Sequence, residues 1–223
     1  MTKTLSLRAK IEQSPMGAYQ WMIVVMAAIM NLLDGFDVLA LAFTATAIRG
    51  EFGLTGIELG YLLSAGLFGM TAGSLFLAPL ADKIGRRPLL LMAVSLSAIG
   101  MLGSAFISQY QWLGFWRVIT GLGVGGILVG TNVITSEYSS RKWRSFAISV
   151  YAAGFGIGAV LGGMFAVMLQ GEYGWRSVFL AGAILTGLLL VALFIWLPES
   201  IDFLTSKQPK NAEVRLNLIA FFI

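Results

Sequence analysis

Asp34 and Asp37 lie in the middle of an apolar run from Trp21 to Ile48, in the stretch Asn31-Leu32-Leu33-Asp34-Gly35-Phe36-Asp37. A carboxylate in a hydrocarbon layer is costly, and such acids mark proton or ion pathways by default. Polar bonding between helices is the structural alternative. Three residues apart, the acids occupy neighbouring faces of one helix, about 4.5 Å apart along its axis. At that separation they titrate as a coupled pair. Asn31 places an amide on an adjoining face one turn earlier. Arg117 is the natural cationic partner. Counted at roughly 1.5 Å per residue, it lies about 7 Å in from the outer boundary and Asp37 about 15 Å. A guanidinium side chain covers that difference, so Arg117 either meets Asp37 or snorkels to the outer headgroups. In the pairing reading the cation alternates between an ionised Asp37 and the carboxylate of a substrate.

The chain contains no cysteine and no histidine. Disulfides, thiolate chemistry and the common nitrogen and sulfur metal sites are therefore excluded. Proton chemistry near neutral pH falls to the carboxylates. No nucleophile–base pair is visible, so the sequence does not read as an enzyme. No cofactor is expected, which leaves protons as the ion these carboxylates could carry.

The elements that must position these groups are membrane helices. Hydrophobic residues make up 57% of the chain, charged residues 12%, and the mean hydropathy is +0.83, outside the soluble globular range. A net charge of +4 alone suggests nucleic acid, but the basic residues fall in short clusters between apolar runs. That pattern is membrane topology, with a lipid bilayer and no nucleic acid as partner. Six apolar segments long enough to span, each needing roughly 20 residues to cross, run Gln20–Ala47, Glu58–Ala78, Pro88–Ile107, Trp112–Ser136, Ser145–Leu169 and Trp175–Leu197. The first is too long, and too acidic at its centre, for a cleaved signal. Trp21, Trp112 and Trp175 fall near the expected interfaces.

Lys3, Arg8, Lys10, Lys83, Arg86, Arg87, Arg141, Lys142, Arg144, Lys207, Lys210 and Arg215 fall on one side, and only Arg49 and Arg176 on the other. The positive-inside rule makes both termini cytoplasmic, in the cell (inner or plasma) membrane. The chain divides into a cytoplasmic segment (1–19), a six-helix membrane domain (20–197) and a polar cytoplasmic linker (198–223). The linker's last residues, Leu218 to Ile223, are apolar but too short to cross. They read as the interrupted start of a further segment.

The loop Ala78-Pro79-Leu80-Ala81-Asp82-Lys83-Ile84-Gly85-Arg86-Arg87-Pro88 resembles the loop between helices two and three of the major facilitator superfamily, G-x-x-x-D-(R/K)-x-G-R-(R/K), with Ala78 in place of the usual Gly. Arg117 with Gly121, Gly123, Gly125 and Gly126, the Glu137/Arg141/Arg144 cluster, Gly174-Trp175-Arg176 and Pro198-Glu199-Ser200 also fall where that family places similar features. Asp34-Gly35-Phe36-Asp37 is similar to the first span of its aromatic acid:proton symporters, which carry 4-hydroxybenzoate, benzoate, protocatechuate, muconate and related acids.

The resemblance implies an all-α integral membrane fold of six transmembrane helices, built as two inverted three-helix repeats. This would be the N-terminal half of a major facilitator, with substrate bound between halves. It implies a secondary active transporter for proton-coupled uptake of small aromatic or related organic acids. Asp34, Asp37, Arg117 and Asn31 would serve substrate and proton coupling. Asp82, Arg86, Arg87, Glu137, Arg141, Arg144 and Glu199 would form a cytoplasmic gate of ion pairs, or would act as simple topology markers. A missing C-terminal half or a second copy would complete the transporter. The alternatives are a truncated fragment without transport and a half-transporter for another metabolite such as a sugar.

Gly121-x-Gly123-x-x-Gly126 also fits a dinucleotide fingerprint, but it lies in an apolar span and follows no strand. Gly69/Gly73, Gly121/Gly125 and Gly154/Gly158/Gly162 instead predict close helix approach. The glycine run of the fifth span lacks the proline found in the family's antiporters, which favours symport. Tyr61, Phe68, Tyr151 and Phe155 are candidates to touch an aromatic substrate, or simply to pack.

Overall fold

A computed structural model describes residues 11–12, 15–207, 209 and 212–222. Lys3, Arg8, Lys10 and Lys210 of the topology argument lie outside them. The described residues form helices α1 (Ala18–Phe52), α2 (Gly56–Ile84), α3 (Arg86–Ala105), α4 (Tyr110–Tyr138), α5 (Arg144–Tyr173) and α6 (Arg176–Trp196). Two short helices follow, α7 (Ile201–Lys207) and α8 (Ala212–Phe222), and no strand occurs among the described residues. All six long helices are long and apolar enough to cross a membrane.

Each expected span is present, and most run past their apolar runs. The 35 residues of α1 reach about 52 Å at 1.5 Å per residue, well beyond a hydrocarbon core of about 30 Å. Local chemistry sets the ends. Gly53, at φ 64°, closes α1 in the left-handed conformation that glycine adopts without penalty. Thr55 and Glu58 then form a capping box that starts α2. Gly85, at φ 102°, separates α2 from α3. The linker departs from its sequence reading: α7 buries Ile201 and Leu204, and α8 buries Ala212 and Ile219, in the same apolar cluster as Met26, Met30, Tyr138 and Leu193 of the long helices.

The helices pack as two related sets. α1 lies along α5 and α2 along α4, α3 is flanked by α4 and α6, and α1 also meets α4. Exchanging the first three helices for the last three turns α1–α5 into α4–α2 and preserves α1–α4 and α3–α6. With three spans per set, the second set enters the bilayer from the opposite side, as inverted repeats require. α1 and α4 are the most enclosed. α2 and α5 turn Tyr61, Phe68, Leu75, Val160, Met164 and Met168 outward, a surface suited to lipid or to another membrane unit.

Glycine makes the close pairs possible. A methyl group at Gly158 would collide with the Leu32 carbonyl, and one at Gly35 with the Phe155 carbonyl; Gly69 and Gly125 abut the Val118 and Met70 carbonyls between α2 and α4. Gly156, two residues from Gly158, has open space around it. Gly158→Ala should therefore destabilise the detergent-solubilised chain by about 1–3 kcal/mol through overpacking. Gly156→Ala should be neutral or should gain about 0.5–1 kcal/mol of helix propensity. Thermal unfolding of the two variants side by side checks this; equal effects would remove the close-approach argument.

Candidate functional site

The bundle core divides into two apolar clusters. One includes Met26, Met30, Leu33, Val94 and Leu193; the other includes Phe36, Leu41, Met101, Val178 and Phe179. Asp34 and Asp37 sit where they meet, 2% and 1% exposed. Ser97 on α3 donates a hydrogen bond of 2.7 Å to Asp37 Oδ2. Asp37 Oδ1, Asp34 Oδ2 and Asn31 Oδ1 take no hydrogen-bond partner. The Asn31 amide donates to the Tyr151 carbonyl at 2.8 Å, tying α1 to α5.

Arg117 is 2% exposed and does not snorkel. It comes to Asp37, as the sequence suggests, but the contact differs from the expected one. Arg117 Nη2 donates to the backbone carbonyl of Asp37 at 2.5 Å, and Nη1 lies 3.3 Å from Met101 Sδ. The guanidinium carbon stands 5.7 Å from the centre of the Phe179 ring. The carboxylate is held by Ser97 on α3, so α1 presents the cation with its main chain. A narrow crevice between α1, α2 and α4, lined by Val38, Leu63, Gly66, Met70 and Gly121, opens onto Arg117. Sequence reasoning missed Ser97: one serine in an apolar span gives no sign of its direction.

The expected gate residues gather at the opposite end from Arg49 and Arg176, where Glu137 and Glu199 take backbone N–H groups and a hydroxyl as partners. Glu199 Oε1 accepts from the backbone N–H groups of Arg86 (2.7 Å), Arg87 (3.0 Å) and Ser200 (2.9 Å). It therefore caps α3, where unpaired N–H groups and the helix dipole favour an anion. Glu137 accepts from the Ser200 hydroxyl and the Ile201 N–H, both at 2.9 Å, at the start of α7. Tyr138 donates to the Glu199 carbonyl at 2.7 Å. Among the described residues, Asp82 pairs with Arg86 at 2.7 Å and Arg144 with Glu12 at 3.6 Å. Arg87 donates to the Phe194 carbonyl at 2.7 Å. Arg141 meets Glu12 through main-chain atoms, with its residue exposed. The carboxylates at positions 137 and 199 thus fasten helix starts that only the folded chain brings near them.

At the other end, Arg176 forms a two-pronged bond to Glu51 at 2.7 and 2.9 Å, and the Trp175 indole donates to the same carboxylate at 2.7 Å. Sequence reasoning did not anticipate this clamp. Of the aromatic candidates, Tyr61 and Phe68 face outward from α2. Tyr151 is buried, its hydroxyl 3.3 Å from Thr131 Oγ1. The backbone of Phe155 packs on Gly35.

Over residues 27–220 the chain matches the Major Facilitator Superfamily. It is 34% identical to the 4-hydroxybenzoate transporter PcaK of Pseudomonas putida, over 97% of this chain and 48% of that protein. It is 36% identical to the gallate transporter of Pseudomonas putida, over 92% of this chain and 45% of that protein. Its fold resembles the xylose transporter XylE from E. coli in a partially occluded inward open conformation, with a TM-score of 0.80, 22% identity, and coverage of 91% of this chain and 55% of that one. The chain spans about half the length of the curated relatives it matches.

Proposed function

Because the chain belongs to the Major Facilitator Superfamily, we propose that it forms one six-helix unit of a secondary transporter that takes up small aromatic acids together with protons. Aromatic acids are suggested by the relatives named for 4-hydroxybenzoate and gallate. A second six-helix unit, from further chain or from another copy, would supply the facing walls of the substrate site. Both termini would face the cytoplasm, as the cluster of Lys83, Arg86, Arg87, Lys142 and Arg144 at one end favours.

The observation that carries this reading is the buried contact between Arg117 and Asp37 at the head of the crevice. Arg117 is fastened to α1 through a main-chain carbonyl, which stays in place whether the Asp37 carboxyl is charged or neutral. An anionic substrate reaching the guanidinium is attracted by the cation and repelled by an ionised Asp37. Protonating Asp37 removes the repulsion, so substrate anion and proton favour each other's binding. Coupling then acts through charge, without Arg117 having to change partners. The cytoplasmic caps at Glu137 and Glu199 would lock α3, α4 and α7 together in this arrangement.

Uptake of radiolabelled 4-hydroxybenzoate into proteoliposomes containing the purified chain tests the reading. Other organic acids and xylose run in parallel. Accumulation that follows an inward proton gradient and is lost in Asp34→Asn is expected. Accumulation regardless of the gradient, or of xylose in place of the acids, would contradict it; no accumulation by a properly inserted chain would mean that the second unit comes from further chain.

A further inference from the structure

Thr186 on α6 is 2% exposed, and its hydroxyl takes no hydrogen-bond partner. That is unusual for a threonine inside a helix. The buried hydroxyls of Thr44, Ser104, Thr120, Thr131 and Thr135 each donate to the carbonyl one turn back. Ser97 also departs from that habit, and it does so to reach Asp37. Two hydroxyls, one on α3 and one on α6, are therefore withheld from their own helices.

The neighbours of α6 show where Thr186 stands. One turn earlier, a methyl group on Gly182 would touch the Met101 methyl of α3, the Phe36 ring, and Asp37 Oδ1 at 3.3 Å. One to two turns later, Leu189 and Leu193 share an apolar cluster with Met30, Leu33, Leu90 and Val94. α6 thus runs antiparallel to both α1 and α3. Thr186 therefore falls between these two levels, at about the height of Asp34 on α1 and Ser97 on α3. Asp37 Oδ1, by Gly182 one turn away, and Asp34 Oδ2 are likewise unpartnered. Buried polar groups left in this state cost folding free energy. One buried water, which needs about two to four polar partners, would satisfy them together.

We propose that Thr186 is a positioning residue of the coupling site, its hydroxyl holding a water molecule between the Asp34 and Asp37 carboxyl groups. A proton on Asp37 Oδ1 passes to that water as the water gives one of its own protons to Asp34 Oδ2. One O–H bond breaks and one forms at each transfer, and the water is restored. The assignment rests on reading Asp34 and Asp37 as the coupling carboxyls. The other titratable or charged groups turned toward this level are Arg117 on α4 and Tyr151 on α5; α3 and α6 bring none among the described residues.

Infrared spectroscopy of the purified chain in lipid, in water and in heavy water, tests the proposal directly. The C=O stretch of a protonated carboxyl moves to higher wavenumber when it loses a hydrogen bond. Asp34→Asn and Asp37→Asn identify the band. Thr186→Val should shift it upward and Thr186→Ser should keep it in place. Thr44→Val, which removes a buried hydroxyl satisfied by its own helix, should leave it unmoved. If Thr186→Val fails to insert, Thr186→Ala carries the same expectation. A band indifferent to Thr186, or moved equally by Thr44→Val, overturns the proposal, as does the lack of any protonated-carboxyl band while the chain stays folded. The signal comes from the carboxyls and not from uptake, so a chain that transports nothing can still pass, and a failed shift leaves the transporter reading standing.

Discussion

Asp37→Asn should leave the bundle folded while net proton-driven uptake falls by about a hundredfold, the scale on which losing one proton-transferring group acts. The two halves of that expectation have separate structural causes. An asparagine carbonyl oxygen can replace Asp37 Oδ2 as the acceptor for Ser97, so the bond from α1 to α3 survives. Arg117 holds the Asp37 main chain and loses nothing in the exchange. What disappears is the carboxyl that the proposed coupling needs to change charge. Substrate exchange across a membrane without a proton gradient needs no such change and should persist. Asp37→Leu is the informative contrast. It removes the acceptor as well, leaving the Ser97 hydroxyl buried without a partner at a cost of about 1–3 kcal/mol. Uptake and exchange assays on matched proteoliposomes, with thermal unfolding as the control for folding, separate these cases. Gradient-dependent accumulation in Asp37→Asn equal to that of the native chain would assign coupling elsewhere.

The spans are legible in the sequence because long apolar runs have few other fates, and the short basic loops fix their alternation. The close glycine contacts are legible for a related reason: small residues at four-residue spacing form one stripe on a helix, and Gly154 and Gly158 do meet the α1 backbone. Asp34, Asp37 and Arg117 stand out because charge in an apolar run is rare. The hydroxyls of the neighbouring helices do not. Ser97 and Thr186 are ordinary residues of α3 and α6, and only the folded arrangement shows their hydroxyls turned off their own helices. Glu137 and Glu199 were legible as charges at helix ends but not as caps. The N–H groups they accept from belong to helices that start far away in the chain or follow a turn that the hydropathy pattern does not reveal. Ile201 and Leu204 in α7 escaped for the same reason: two apolar residues in a polar stretch become a buried face only once the chain has folded.

Arg117→Lys should weaken recognition of a substrate carboxylate roughly 10- to 100-fold while retaining the positive charge. The guanidinium belongs to α4, yet it reaches Asp37 on α1, Met101 on α3 and the face of Phe179 on α6. Its planar fork makes these contacts at once and has donors to spare for an anion entering from the crevice. An ammonium group is a compact, strongly hydrated point charge. Bonded to the Asp37 carbonyl, it cannot also lie against Phe179 and present a fork to a carboxylate. Losing hydrogen bonds to a charged group costs about 1.5–3 kcal/mol, which corresponds to roughly 10- to 100-fold weaker binding. Stability should fall too, and Arg117→Ala should fall further, by about 3–5 kcal/mol, because the bridge among four helices is then removed outright. The two effects part company in a thermal-shift titration. If 4-hydroxybenzoate binds the native chain, it raises the unfolding temperature by mass action, whatever the starting stability. Arg117→Lys should begin lower and show little or no rise at the same concentrations, whereas Gly158→Ala should begin lower and keep the full rise. A normal rise in Arg117→Lys would mean that Arg117 holds the bundle together without reading the anion.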